Sequence, residues 1–189
     1  LRYNQLTGSI PFELSEITLF LDPINRYDSN EPTNVPIPST FSTNERDALI
    51  ALYNSTDGDN WDNNSGWLGV IGTECNWYGV TCNDNKTSVT VLSLGTNKLT
   101  GSIPVELEQL TSLTWLDLRN NQLTGLIPTE LGELIWLTWL NLSNNNLKGI
   151  IPVELRQLNL TVLYLRYNQL TGSIPFELSE ITLFLDPIN

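Results

Sequence analysis

The chain has no histidine. Without an imidazole, serine–histidine and cysteine–histidine nucleophilic pairs are excluded. Basic residues are few: nine Lys and Arg, scattered along the chain, stand against 21 Asp and Glu, for a net charge of −12. There is no basic cluster to hold nucleic acid or an anionic membrane surface. The acidic excess instead keeps the surface soluble. No apolar run is long enough for a membrane span, so no membrane insertion is expected. Glycine-rich phosphate loops are missing, and no cofactor is expected. Cysteine is scarce, with Cys75 and Cys82 alone, in CNWYGVTC. Two thiols without histidine are too few for a metal site. A short-loop disulfide between them is the natural reading, and it points to an oxidising, extracellular setting.

Residues 1–25, LRYNQLTGSIPFELSEITLFLDPIN, recur unchanged as residues 165–189. Chance does not produce an identity of that length, and divergent repeats do not keep one. The expectation is a window onto a longer tandem array whose unit is seen whole as Arg26–Asn189. Residues 1–25 are then the last repeat and terminal strand of a preceding copy. An engineered duplication would read the same way. An array would make the protein a polymer or the building block of one. The start at Leu1, in mid-pattern and without Met, suits a mature or internal segment.

A shorter period lies inside the unit. LTGSIPVEL (99–107), LTGLIPTEL (123–131), LKGIIPVEL (147–155) and LTGSIPFEL (170–178) follow one another in two equal steps and a third that is shorter by a single position. Each is preceded by a strand-like segment: VTVLSLGTN (89–97), LTWLDLRNN (113–121), LTWLNLSNN (137–145) and LTVLYLRYN (160–168). Alternating leucines point inward on short strands, and stacked strands share one core. Asn97, Asn121, Asn145 and Asn168 end the strands and can bond backbone groups of the turn. Prolines 104, 128, 152 and 175 then direct the chain back, and short helical turns follow them.

This pattern resembles the plant-type leucine-rich repeat, LxxLxLxxNxLxGxIPxxLxxLxx. The resemblance implies an α/β solenoid: a parallel concave sheet, a short helical or irregular convex side, and a helical N-terminal cap. The expected organisation is a Pro-containing linker at 26–44, the cap at 45–87, four repeats at 88–182 and a truncated terminal strand at 183–189. ERDALIALYNST (45–56) reads as an amphipathic helix with Ala48, Leu49, Leu52 and Tyr53 on one side. In the family, cap tryptophans and a disulfide cover the open end of the core, which implies that role here for Trp61, Trp67, Trp77, Cys75 and Cys82. A single repeat cannot fold alone, so residues 1–25 are expected to pack on the cap that follows or on a neighbouring molecule's repeats, with end-to-end stacking favoured.

No enzyme is expected. Glu106, Glu130, Glu154 and Glu177 recur at the repeat period as a solvated convex row rather than as a glycosidase pair. Asp57–Asp62 (DGDNWD) has Trp61 where a calcium loop needs a ligand, and reads as a turn. The outward strand positions form four columns: Val91, Trp115, Trp139, Val162; Ser93, Asp117, Asn141, Tyr164; Gly95, Arg119, Ser143, Arg166; Thr96, Asn120, Asn144, Tyr167. Trp115, Asp117, Arg119, Trp139, Asn141, Tyr164, Arg166 and Tyr167 are the candidate partner-binding face; the alternative is that stacked aromatics only stabilise the sheet. Asn54, Asn63, Asn85, Asn141 and Asn159 are candidate N-glycosylation acceptors. A glycan on Asn141 would hinder a ligand on the same face. The leading expectation is a structural subunit of an extracellular fibre or surface array, self-associating end to end. The alternative is a secreted or cell-surface module that binds a peptide, protein or glycan on its concave face. Ice binding, which some members of the family perform, ranks last because the columns are mixed in size and charge.

Overall fold

The computed structural model describes residues 41–178 and 182–184. The expected preceding copy (1–25), the linker up to residue 40 and the chain beyond Phe184 lie outside them.

Helix α1 spans Thr43–Ser55. Ser42 caps it by accepting from Glu45 N, and Phe41 is buried. The helix therefore begins at Thr43, where the S-x-x-E start at Ser42 lies ahead of the apolar spacing. Glu45 does not complete a capping box. Its buried carboxylate reaches far along the chain to accept Val89 N at 2.7 Å. It thereby pins the helix to the sheet. Ala48, Leu49, Leu52 and Tyr53 are buried as the spacing predicts.

The turn at Asp57–Asp62 is consumed by structure. Asp59 accepts the Tyr53 hydroxyl at 2.8 Å, Asp57 accepts from Asn60, and Asp62 pairs with Lys98. Trp61, Trp67 and Trp77 are buried and mutually packed, with ring centroids 4.8 Å and 5.0 Å apart along the series. Each indole N–H has an acceptor: Thr56 O, Tyr78 O and Thr73 Oγ1. Cys75 and Cys82 form a disulfide beside this cluster.

Among the described residues the main sheet has six strands, in the order β1 (Val80–Cys82), β2 (Val89–Ser93), β3 (Trp115–Asp117), β4 (Trp139–Asn141), β6 (Val162–Tyr164) and β8 (Thr182–Phe184). The β1–β2 pair is antiparallel and closes the cap onto the first repeat; the other pairs run parallel and in register. A minor parallel pair, β5 (Lys148–Gly149) and β7 (Gln169–Leu170), lies on the flank. The convex turns after each proline are 3-10 helices at Val105–Gln109, Thr129–Glu133, Val153–Gln157 and Phe176–Leu178.

The repeat leucines form one continuous buried core with the cap aromatics. The asparagines at the strand ends tie each repeat to the one before. Asn121 Oδ1 accepts Asn97 N and Leu99 N, both at 3.0 Å, while its Nδ2 donates to Leu94 O and Leu118 O. Asn145 and Asn168 repeat the two donated bonds and accept one N–H each, from Leu123 and Leu147. Asn97, which has no preceding repeat, binds the backbone of Asn63 in the cap instead. Gly101 sits where the first repeat meets the end of α1. A Cβ there would lie 2.1 Å from Ser55 O, and its φ is +74°. Thr100 N and Ser102 N donate to Thr56 O and Ser55 O, which satisfies the carbonyl end of the helix.

Candidate functional site

The concave face is built by what each strand turns outward. In-register pairing sets Trp115 beside Trp139 and Trp139 beside Val162. Strand spacing alone would hold such residues about 4.8 Å apart; the two indoles close further, to a 3.7 Å centroid distance with planes 7° apart. Tyr164 leans on Trp139 at 5.7 Å, tilted by 56°. Trp115 is 38% exposed, and Trp139 and Tyr164 are half-buried. Arg119 and Tyr167 are exposed beside them, and the Arg166 guanidinium lies over the Tyr167 ring at 5.2 Å.

Two of the expected contact residues are placed differently. Asp117 and Asn141 are each 4% exposed. Their Oδ1 atoms accept the backbone N–H two residues on, from Arg119 at 3.1 Å and Ser143 at 3.0 Å, which caps the strand end. This column is thus closed at its two middle positions, and the D-x-R and N-x-S spacing carries that signal. Burial raises the Asp117 pKa above the ordinary carboxylate value; the Arg119 backbone N–H and charge oppose the shift. The Arg119 guanidinium holds Asp117 Oδ2 at 3.4 Å.

Two further ladders border the aromatic patch. The hydroxyls of Thr114, Thr138 and Thr161 each donate to the carbonyl of the threonine one repeat earlier, at 2.9, 3.1 and 3.0 Å. On the other border, Thr96, Asn120, Asn144 and Tyr167 all adopt positive φ, between 54° and 58°. Asn144 donates to Asn120 and Asn120 to Thr96. The first ladder was readable as a threonine recurring ahead of each outward strand residue.

Of the candidate glycan acceptors, Asn54, Asn85 and Asn159 are exposed, Asn63 is half-buried and Asn141 is buried. On the convex side Glu106 is exposed and Glu130 and Glu154 are partly exposed. Glu130 and Glu154 share a shallow acidic groove with Glu108 and Glu133. The Glu177 side chain lies outside the described residues. Among the described residues no His, Cys, Asp and Glu are grouped to hold a metal ion, and no helix is long and apolar enough to cross a membrane.

Models of known families match this chain in adjoining segments: the leucine-rich repeat N-terminal domain at residues 42–83, and leucine-rich repeats at 84–123, 136–158 and 159–181. Among solved structures, a chain of the BIR3–SERK2 complex from Arabidopsis thaliana is 35% identical. It matches with a TM-score of 0.61, over 73% of this chain and 77% of that one. The ectodomain of the Arabidopsis receptor kinase HAESA, solved with an IDA peptide hormone ligand, is 27% identical with a TM-score of 0.58. That match covers 76% of this chain, which spans only 26% of the HAESA chain. A plant ice-binding protein is 26% identical with a TM-score of 0.56, over 78% of this chain and 56% of that one.

Proposed function

This chain belongs to the leucine-rich repeat family, of the plant type with its N-terminal cap, and from that premise we propose that it is an extracellular recognition module that binds an extended peptide or a protein segment on its concave sheet. The observation that carries this reading is the stacked Trp115–Trp139 pair, open to solvent at Trp115, on the same face as the exposed Arg119 and Tyr167. Tryptophan, tyrosine and arginine are the residue types that dominate binding energy at interfaces. The solved complexes named above, one protein–protein and one receptor–peptide, are consistent with it. The disulfide suits an oxidising compartment.

A peptide is favoured over a glycan by ring geometry. A sugar stacks on a free aromatic face. Trp115 covers one face of Trp139, and Tyr164 leans on the same ring. Trp139 therefore has little free face to offer, and the more exposed Trp115 edge and outer face suit an aliphatic or aromatic side chain. The test is selection of a phage-displayed library of random linear peptides on the disulfide-bonded protein. Enriched peptides are then measured against Trp115→Ala, Trp139→Ala and the convex control Glu130→Ala. Removing a hot-spot anchor costs about 2 kcal/mol, or roughly 30-fold in Kd. Binding unchanged in both tryptophan variants, with folding intact, overturns the reading.

The unchanged duplication of residues 1–25 at 165–189 favours a second reading, a subunit of an extracellular tandem array or fibre. Electron microscopy of native material separates the two. Filaments with an axial repeat of one domain support the array, and isolated curved particles leave the recognition module alone.

A further inference from the structure

The third step of the repeat is shorter than the first two by a single position, and the deletion has a structural consequence. Between Leu134 and Leu137 the loop into β4 carries Ile135 and Trp136; between Leu158 and Leu160 the loop into β6 carries Asn159 alone. Asn159 lies against the backbone of that pair: its Nδ2 donates to Ile135 O at 3.3 Å. Ile135 is 52% and Trp136 63% exposed, on the rim where convex turns become concave strands. One repeat earlier the same places hold Thr111 and Ser112. An apolar pair left open to water, beside an exposed Asn-x-Thr acceptor on the next repeat, is a surface suited to a sugar.

We propose that Asn159 carries an N-linked glycan whose first sugar ring packs on Ile135 and Trp136. The inference rests on the extracellular reading given above, because the modification belongs to the secretory route. In the transfer, Asn159 Nδ2 forms a bond to C1 of a sugar delivered as a glycosyl pyrophosphate. The C1–O bond to phosphate breaks, the pyrophosphate leaves with its electron pair, and one amide proton is given up to the transferase. The product is a secondary amide with one N–H left, so the bond to Ile135 O can persist. The C–H face of the sugar then covers the indole and the isoleucine, which removes an exposed apolar patch from water. The fold leaves no room for a glycan on Asn141, since its side chain is buried in the sheet. The glycan then lies on the rim and leaves the aromatic face open.

The test is secretion of the full chain from a eukaryotic host, with the state of Cys75–Cys82 checked and occupancy mapped at each acceptor. Asn159→Gln is then compared in the natural and the Trp136→Ala backgrounds. The expected result is occupancy at Asn159 and a loss of about 2–4 °C in Tm on Asn159→Gln, absent when Trp136 has been removed. An unmodified Asn159 in secreted protein that is modified at Asn54 or Asn85 overturns the proposal. So does an equal Tm loss in both backgrounds. A chain retained in the cell with Cys75 and Cys82 as free thiols overturns the extracellular reading, and this proposal with it.

Discussion

Replacing Asn121 by alanine should be among the most damaging single changes on the strand side of this solenoid. The residue is buried and serves two repeats at once. Deleting its amide removes the acceptor of Asn97 N and Leu99 N and the donor to Leu94 O, Leu118 O and Arg119 O. Two of these carbonyls keep other partners: Leu118 O accepts from Asn145, and Arg119 O from Thr96 N. Among the described residues, Asn97 N, Leu99 N and Leu94 O do not. Each orphaned buried group costs about 1–3 kcal/mol, so the loss should be about 4 kcal/mol. That is a large part of the roughly 5–15 kcal/mol of a typical domain. Equilibrium urea unfolding followed by tryptophan fluorescence measures it, with the exposed Gln122→Ala as control. Asn121→Asp sharpens the argument. It keeps an acceptor for the two N–H groups but sets a carboxylate against three carbonyls, so its folded pKa should rise above the unfolded value. The raised pKa makes stability greatest below the unfolded value and lost as pH rises through the folded one. Asn121→Asp should therefore recover toward wild type in acid. A change below about 1 kcal/mol in Asn121→Ala would refute the view that these asparagines, and not the leucines alone, couple the repeats.

Three other outcomes follow from particular residues. Thr96 holds φ +58° with a β-branched side chain where later repeats have Asn120 and Asn144; Thr96→Asn should add about 0.5–1 kcal/mol by removing that strain and extending the ladder, read as a higher urea midpoint. Asp117→Asn keeps the acceptor for Arg119 N, as Asn141 does for Ser143, and removes a carboxylate whose pKa burial has raised. The raised value means the ionised form weakens the fold as pH climbs above the ordinary carboxylate range. Asp117→Asn should thus be more stable than wild type at neutral pH, with the difference gone below the unfolded pKa; an advantage that persists in acid contradicts this. Reducing the Cys75–Cys82 disulfide, which closes a short loop, should cost about 2–3 kcal/mol by loop entropy, seen as a lower Tm in reductant.

The repeat fold was legible because every register position carries its own requirement. Leucines at the core positions, the strand-end asparagines and the turn prolines recur with the solenoid, so four imperfect copies specify one geometry. The cap helix was legible from its apolar spacing, which starts one turn after the Ser42 cap; the reach of Glu45 to Val89 across the fold was not, because it depends on a contact far along the chain. The aromatic face was legible by column counting, since in-register parallel strands preserve columns. The closure of Asp117 and Asn141 was missed because alternation assigns a strand residue to a face without saying whether its side chain folds back onto the next turn. The rim pair Ile135–Trp136 was missed because the columns counted were those of the outward strand positions, and the pair lies in the loop ahead of them.

The central claim is that a ligand sits on the concave sheet against the tryptophan pair. Amide hydrogen exchange of the protein, alone and saturated with a library-selected peptide, tests it most directly. Binding there should slow exchange in and after β3, β4 and β6, around residues 115–120, 139–144 and 162–167, and leave the convex turns at Val105–Gln109 and Thr129–Glu133 unchanged. Protection confined to those convex turns, with the strand-end amides exchanging as before, would contradict it.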